Sequence, residues 1–253
     1  MLKGKINSIE SIYNETYEAF KLSWDTEYFG MSSARVILKD AILNEGELSI
    51  FLDSYDFITI TNLNNNPQNN QWLGKYKNAF LVDVNIQFVK RLSNKSADKE
   101  DITEVHEDYP YNESIIKIAQ EAFKHSRFFN DEFLPLSKAR DVYKHWVKSA
   151  FNKLGRYFVT VKRNGKIAGF LLFSINDINS FATIELIAVD MEFRGQKIGK
   201  TLISGMEKYL AGNNIELIKV GTQVNNISAI NFYNSYGFKN TNCSSVYHYW
   251  PKK

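Results

Sequence analysis

Cysteine is almost absent from this chain of 253 residues, because Cys243 is its single thiol. One cysteine excludes a disulfide within the chain, and the residues around Cys243 do not indicate a nucleophile. The 4 histidines show no spacing typical of metal ligands, and neither does Cys243 with His248. The sequence therefore predicts no disulfide framework and no metal site.

Long apolar runs and a strong charge excess are also lacking. No stretch approaches the uninterrupted apolar length that crosses a bilayer, and no signal-type apolar segment follows Met1–Lys5. The formal net charge is +3, and the basic excess is too small and too scattered to indicate nucleic-acid binding. We therefore expect a cytoplasmic protein that binds neither a membrane nor nucleic acid.

The chain is expected to contain two domains. Residues 48–62 hold strand-like apolar clusters, whereas the asparagine-rich residues 62–71 offer few core-forming side chains and are expected to form a surface loop. The polar residues 93–101 are typical of a linker. We therefore predict an N-terminal domain at 1–95 and a second domain at 96–253.

The second domain begins with a defined order of strand and helix patterns. Hydrophobic periodicity predicts a strand at 102–106, helices at 114–123 and 137–151, and a hairpin of strands at 156–162 and 167–174 around an Asn164–Gly165 turn.

The most informative motif is an apolar strand that ends in a basic, glycine-bearing loop and opens into a helix. Ile184–Val189 is the strand, and the helix shows one apolar face formed by Ile198, Leu202, Met206 and Leu210. A helix start leaves backbone N–H groups without partners and carries the positive end of the helix dipole, so it binds phosphate groups. The predicted anion site consists of consecutive residues, namely Arg194, Gly195, Gln196, Lys197, Ile198, Gly199 and Lys200.

A second motif follows about 30 residues later, a distance that fits one helix and one strand. Asn226 opens a short predicted helix that carries Phe232 and Tyr233 and closes at Gly237. The two motifs together resemble the GCN5-related N-acetyltransferases. The resemblance implies an α/β (α+β) fold in which a mixed, mostly antiparallel sheet is flanked by helices, beside a smaller N-terminal α/β domain.

The same resemblance implies acetyl-CoA as co-substrate, with its pyrophosphate on the backbone amides of residues 194–200. Lys197 stands where the family usually has its first glycine, so it must adopt a conformation that a residue with a Cβ tolerates. Ile187 and Val189 are expected to pair with the pantetheine arm as an added strand would. Asn226 is a candidate cofactor contact, and the alternative is that it only caps its helix.

Two residues are candidates for catalysis. The resemblance places Tyr233 beside the thioester sulfur, and a phenol with an ordinary pKa of about 10 holds a proton that it can give to a departing thiolate. Glu185 lies within the central strand, where burial would raise its pKa and let it accept the amine proton, directly or through water. The alternatives are a packed, capped tyrosine and a buried glutamate that bonds a neighbouring strand or helix.

Three further segments resemble the dTDP-fucosamine acetyltransferase branch of this superfamily: residues 22–30, residues 126–128, and residues 221–224 together with 247–250. Those enzymes acetylate the 4-amino group of dTDP-4-amino-4,6-dideoxygalactose, a sugar donor for bacterial surface polysaccharide. A nucleotide-linked amino sugar is therefore the expected acceptor.

Candidate acceptor-binding residues lie in two of these segments. Arg127 can engage phosphate oxygens with its guanidinium group, and Phe128 offers a flat face to a ring. Tyr247 is a candidate for lining the acceptor site. The competing interpretations are a solvated arginine and an aromatic run that fills the last strand.

Other functions remain open at this point. The acceptor is alternatively a protein N-terminus, an aminoglycoside or another amino sugar, and a further alternative is a non-catalytic acyl-CoA-binding module. The resemblance also implies a homodimer, with the N-terminal domain contributing to the acceptor site or to the dimer.

Overall fold

The computed structural model describes residues 10–76, 78–92 and 103–253. These residues form two compact units. Unit 1 contains the chain up to Ile86, together with Asn130–Leu134 and Asn242–Lys253, and unit 2 contains Gln87–Phe129 and Pro135–Thr241. The predicted boundary at residue 95 and the predicted linker at 93–101 lie outside the described residues.

Unit 1 alternates strands and helices along its first segment. Its strands are β1 (Ser11–Tyr13), β2 (Tyr17–Lys21), β3 (Ser33–Leu38), β4 (Phe57–Asn62) and β5 (Ala79–Arg91). The last five residues of β5 follow Ile86 and belong to unit 2. Its helices are α1 (Ser23–Phe29), α2 (Gly46–Asp53) and α3 (Pro67–Leu73).

The sheet of unit 1 includes the last strand of the chain, β11 (Lys239–Tyr249), in the order β1-β2-β3-β4-β11-β5. β3 and β4 are parallel and are connected by α2, and their register covers both strands completely, from Ser33 opposite Phe57 to Leu38 opposite Asn62. β11 is antiparallel to β4. The core of this unit is built from α2 and the inner faces of the strands, where Phe51 is fully buried.

The prediction of a surface loop at residues 62–71 was wrong. Asn66 accepts hydrogen bonds from the N–H groups of Gln68 and Asn69, and Pro67 occupies the first helical turn, so this polar stretch starts helix α3. Asn69 is fully buried because its amide group donates to the Asp40 carbonyl and to Asn62 Oδ1. The side-chain amides thus form hydrogen bonds with one another and with backbone groups, so these polar groups can be buried.

Unit 2 contains the elements predicted for the second domain. Its helices are α4 (Glu113–Ala122), α5 (Leu136–Ala150), α6 (Ile198–Ala211) and α7 (Ile227–Ser235). Its further strands are β6 (Thr103–Glu107), β7 (Tyr157–Arg163), β8 (Lys166–Asn176), β9 (Phe181–Val189) and β10 (Leu217–Gln223). Asn164 and Gly165 both have positive φ, so the predicted turn of the β7–β8 hairpin is confirmed.

The sheet of unit 2 has the order β5-β10-β9-β8-β7-β6. The pairs β6–β7, β7–β8 and β8–β9 are antiparallel, and β9–β10 is parallel with α6 as the crossover helix. Helices α4 and α6 contact β8 and β9. Residues 170–173 of β8 are fully buried, as expected for a strand covered on both faces. The predicted mixed, mostly antiparallel sheet flanked by helices is confirmed.

No helix within the described ranges is long and apolar enough to cross a membrane.

Candidate active site

The central strand β9 is irregular at Glu185. Its register with β8 places Ile184 opposite Phe173 and Leu186 opposite Leu172, so Glu185 has no partner on β8. A bulge of this kind redirects the side chain of the extra residue, and such bulges are common beside active sites. The side chain of Glu185 is only 11% exposed.

Each carboxylate oxygen of Glu185 has a donor. Arg156, which lies just before β7, pairs with Oε1, and the Nε1–H group of Trp146 on α5 donates to Oε2 over 3.3 Å. The interpretation of Glu185 as a buried glutamate bonded to neighbouring elements therefore fits the structure. A carboxylate has about four lone-pair sites, so these two donors leave acceptor capacity for an amine or a water molecule. Neither donor was identified from the sequence.

The parallel strands β9 and β10 pair over only part of their length. Their register runs from Phe181 opposite Leu217 to Ile184 opposite Val220. β9 nevertheless continues to Val189 and β10 to Gln223, so in this part of the described structure the two strands separate. The opposite edge of β9 remains paired with β8 as far as Val189. The backbone of residues 185–189 thus offers a free edge that an extended ligand can join as a strand does.

The loop after β9 is shaped by two residues with positive φ. Asp190 caps a single 3-10 turn by accepting from the Glu192 N–H group over 2.8 Å, and Gly195 follows with φ 78°. Lys197 has φ 61° and ψ 11°, the left-handed conformation, and α6 starts at the next residue. Lys197 therefore adopts a conformation that a residue with a Cβ can reach, as expected. The left-handed conformation has a steric cost for any residue other than glycine.

The start of α6 presents donors without acceptors. No side chain caps the helix, and among the described residues no hydrogen bond engages the backbone N–H groups of Lys197, Ile198, Gly199 and Lys200. Arg194, Gly195, Gln196, Lys197 and Lys200 are exposed. Free N–H groups, the positive end of the helix dipole and nearby cationic side chains together fit a phosphate group.

Gly199 connects this loop to the second motif. A Cβ atom on Gly199 would lie 2.9 Å from Cε2 of Phe232, so only glycine allows the start of α6 to approach α7 so closely. Phe232 is followed directly by Tyr233, and their rings meet edge to face with centroids 5.4 Å apart. The start of α6 is therefore linked to Tyr233 through the ring of Phe232.

Tyr233 lies in an aromatic environment. It is 4% exposed, and its ring centroid lies 5.6 Å from that of Phe88 and 5.4 Å from that of Phe238. Burial raises the pKa of Tyr233 above the ordinary value of a phenol, because the charged phenolate is disfavoured away from water. The side chain therefore retains its proton at neutral and alkaline pH.

Asn226 is the N-cap of α7, because its side chain accepts a hydrogen bond from the Ala229 N–H group over 3.2 Å. The helix cap, one of the two alternatives that the sequence left open for Asn226, is therefore present. The cap fixes the start of the helix that carries Tyr233.

Arg127 and Phe128 lie in the connection between α4 and α5. The guanidinium carbon of Arg127 is 4.3 Å from the ring centroid of Phe128, and Phe128 is 3% exposed. One face of that ring is thus covered by Arg127 itself. The Nε atom of Arg127 is buried and has no hydrogen-bond partner among the described residues. Arg127 as a whole is half-buried, whereas Phe128 is buried, so Arg127 is the more accessible member of this pair.

Tyr247 belongs to unit 1. It lies on β11 opposite Ile60, and its hydroxyl group donates to Asn70 Oδ1 over 2.9 Å. Burial raises the pKa of Tyr247. His248 on the same strand is fully buried and meets Asp131 Oδ2 at 2.6 Å, in a contact that joins two sequence-distant parts of unit 1.

A search of the described residues finds no group of three or more His, Cys, Asp or Glu side chains that could hold a metal ion.

Comparisons with known proteins give a family match and a curated relative. Residues 113–238 match the family described as Acetyltransferase (GNAT) family. A curated relative, the spore coat polysaccharide biosynthesis protein SpsD of Bacillus subtilis (strain 168), is 28% identical over 141 residues, which are 56% of this chain. The match spans 48% of that relative, or about half of its length.

Solved structures share the fold at low sequence identity. A GCN5-related N-acetyltransferase from Kribbella flavida has a TM-score of 0.62 at 11% identity, and the match covers 96% of this chain and 90% of that chain. A tandem GNAT protein from the clavulanic acid biosynthesis pathway has a TM-score of 0.59 at 13% identity, with 87% and 76% covered. At these identities the likeness concerns the fold alone.

Proposed function

Residues 113–238 match the Acetyltransferase (GNAT) family, and from this match we propose that the chain is an acetyl-CoA-dependent N-acetyltransferase that acetylates the amino group of a nucleotide-linked amino sugar. The proposed acceptor is dTDP-4-amino-4,6-dideoxygalactose, used in bacterial surface polysaccharide synthesis. The relative SpsD supports this acceptor class, because its name assigns it to spore coat polysaccharide biosynthesis.

One observation carries the proposal, namely the close packing of Gly199 against Phe232. It joins the free N–H groups at the start of α6 to the helix that carries the buried phenol of Tyr233, and the loop before α6 follows directly from the free edge of β9. An acyl-CoA needs all three, because it has an extended amide-bearing arm, a pyrophosphate and a thioester.

Acetyl-CoA supplies the acetyl group as a thioester. In the proposed mechanism the N–H groups of Lys197 to Lys200 bind the pyrophosphate, with Arg194 and the Lys197 side chain adding positive charge. The backbone at Ile187 and Val189 pairs with the pantetheine arm, and an N–H group of this edge polarises the thioester carbonyl. Asn226 acts by capping α7, which holds Tyr233 in place.

The transfer forms a nitrogen–carbon bond and breaks the carbon–sulfur bond, so one proton leaves the amine and one reaches the sulfur. We assign the first proton to Glu185, directly or through water, because its bulge turns a buried carboxylate out of the strand pairing. We assign the second to Tyr233, because its burial keeps the phenol protonated. Within unit 2, the guanidinium group of Arg127 is the proposed contact to the sugar diphosphate, with Phe128 as a further acceptor-side residue. The assignment of Tyr247, in unit 1, to the acceptor is a separate proposal.

The test measures thiol release from acetyl-CoA by the purified protein. The acceptors are dTDP-4-amino-4,6-dideoxygalactose, its gluco epimer, the 3-amino isomers, an aminoglycoside, a peptide with a free N-terminus and a no-acceptor control. Release with the first alone would establish the proposed acceptor and its stereochemistry. Release with the peptide or the aminoglycoside alone would replace it, and acetyl-CoA binding without release in any arm would indicate a binding module.

A cytoplasmic homodimer belongs to the same proposal and follows the resemblance to the amino-sugar acetyltransferases. Light scattering coupled to gel filtration tests it, because a dimer has twice the 29.3 kDa mass of the chain.

A further inference from the structure

Glu185 is a buried acid at an irregular point of the sheet. Its side chain is 11% exposed, whereas that of Arg156 is 32% exposed, so the pair lies partly below the surface. Burial alone disfavours the ionised form of a carboxyl group, and an arginine in contact favours it. The state of Glu185 is therefore decided by the balance between its burial and its neighbours.

Arg156 is brought to the Glu185 bulge by the pairing registers of the strands. The residue after Arg156, Tyr157, pairs with Phe173 on β8, and Phe173 pairs with Ile184, the residue before Glu185. The β7 and β8 registers therefore bring the guanidinium group to the bulge. Burial lowers the pKa of Arg156, but an arginine remains protonated at any pH at which the protein is folded.

The other group in hydrogen-bond contact with Glu185 is uncharged. Helix α5 faces it with the Nε1–H group of Trp146, whose ring stacks on Tyr143 with centroids 6.2 Å apart. Strand β8 flanks the bulge with Leu172 and Phe173. On β10 the nearest charge along the register is Lys219, opposite Thr183, and its ammonium group lies 3.6 Å from the centroid of the Phe181 ring. Among the described residues, Arg156 is the charged group in contact with Glu185.

We propose that Arg156 is a positioning residue for the acetyl transfer, because it holds Glu185 ionised and oriented toward the incoming amine. The consequence for catalysis rests on the proposed function, whereas the effect on Glu185 does not. An ionised carboxylate binds a substrate that arrives as an ammonium ion and accepts its proton, and a neutral carboxyl group does neither. Arg156 thereby favours cationic amine acceptors over neutral ones.

The first measurement follows the Glu185 carboxyl carbon by NMR while the pH is varied, in protein labelled with ¹³C at glutamate Cδ. Glu185→Gln assigns the signal. In Arg156→Met the titration midpoint is expected to rise by about one pH unit or more, because the compensating charge is gone and burial remains. Arg156→Lys is expected to restore a lower midpoint. A midpoint in Arg156→Met equal to that of the unmodified protein overturns the proposal, whether or not any acceptor is turned over.

Two further variants separate this effect from general ones. Arg140→Met removes an exposed arginine from α5 and is expected to leave the Glu185 midpoint unchanged. Trp146→Phe removes the neutral donor and is expected to shift the midpoint less than Arg156→Met does. Should Arg156→Met not fold, as judged by thermal unfolding, Arg156→Gln carries the same test.

The second measurement is the pH dependence of kcat/KM for whichever amine proves to be the acceptor. The acidic limb is expected to move to higher pH in Arg156→Met by the same interval as the NMR midpoint, with acetyl-CoA affinity unchanged. A moved midpoint with an unmoved acidic limb would remove Glu185 from the proposed mechanism while leaving its pairing with Arg156 intact.

Discussion

Gly199 and Phe232 are packed so closely that a Cβ atom on Gly199 would lie 2.9 Å from the Phe232 ring. This contact links the first turn of α6 to the helix that carries Tyr233. The packing of this one glycine therefore sets the distance between the proposed phosphate site and the helix of the proposed acid.

Gly199→Ala should therefore weaken both stability and acetyl-CoA binding. Overpacking of this kind costs about 1 to 3 kcal/mol of unfolding free energy, and here it would also push the N–H groups of the proposed phosphate site away from α7. Urea unfolding and calorimetric titration with acetyl-CoA measure the two effects. Gly165→Ala is the control, since Gly165 has φ 74° but no atom within 4 Å of its added Cβ. It should lose stability through backbone strain alone and bind normally.

Lys197→Gly should stabilise the fold. Lys197 adopts φ 61°, and the left-handed conformation costs a non-glycine residue about 1 to 2 kcal/mol. Lys197→Ala keeps the Cβ and its strain but loses the ammonium group. We expect Lys197→Gly to unfold at higher temperature than Lys197→Ala, and both to bind acetyl-CoA more weakly than the unmodified protein at low salt. Equal stability of the two variants would show that the loop relaxes without strain.

Tyr233→Phe should reduce kcat by about 10²-fold or more while leaving the dissociation constant of acetyl-CoA nearly unchanged. The phenylalanine keeps the ring contacts with Phe88 and Phe238, so folding should be preserved. Tyr236→Phe, on the next turn of the chain, is the matched control and should retain activity. Equal turnover by the two variants would remove Tyr233 from the mechanism.

The same substitution should change alkaline stability. The folded-state pKa of Tyr233 is raised by burial, so its contribution is complete below the unfolded-state pKa of about 10 and is lost as the pH rises above that value. Each such group lowers the unfolding free energy by about 1.4 kcal/mol per pH unit in this window. Tyr233→Phe should therefore lose stability less steeply above pH 10 in urea unfolding. Tyr13→Phe, which removes a phenol that is 66% exposed, should follow the unmodified protein.

Local patterns predicted much of unit 2. Ile198, Leu202, Met206 and Leu210 show helical spacing in the sequence, and all four are buried on α6. Helical spacing is a property of neighbouring residues, so it can be read without knowing the fold. The phosphate loop could be predicted for the same reason, since a basic glycine-bearing turn before a helix is a continuous motif.

Features that depend on distant pairing could not be predicted. The bulge at Glu185 exists only relative to β8, and Arg156 reaches it through the register of a third strand. Asn242–Lys253 belong to unit 1 because β11 pairs with β4, which lies far away in sequence. The α3 helix was missed because buried amide networks, as at Asn69, satisfy polar groups that composition assigns to the surface.

Unit 1 contains a second parallel crossover, β3–α2–β4. It lacks the free strand edge and the favourable helix start of β9–α6–β10, where we propose that acyl-CoA binds. The register of β3 and β4 is complete from Ser33 to Leu38, so no free edge is left between these strands. Helix α2 begins after Glu45 and carries Glu47 in its first turn, so carboxylates stand where a phosphate would need donors. The solved structure of a tandem GNAT protein shares the fold of this chain but does not show how many sites this chain has.

We therefore expect one molecule of acetyl-CoA per chain. Calorimetric titration should give a stoichiometry of one, and Arg194→Ala combined with Lys197→Ala should weaken all of the binding rather than half of it, because both residues lie in the loop that leads into α6, where the first helical N–H groups have no partner among the described residues. Glu47→Gln should leave the stoichiometry unchanged, since removing one charge does not open the β3–β4 edge. A stoichiometry of two, with half of the sites resistant to the double substitution, would mean that β3 and β4 separate in solution and that unit 1 binds an acyl-CoA of its own.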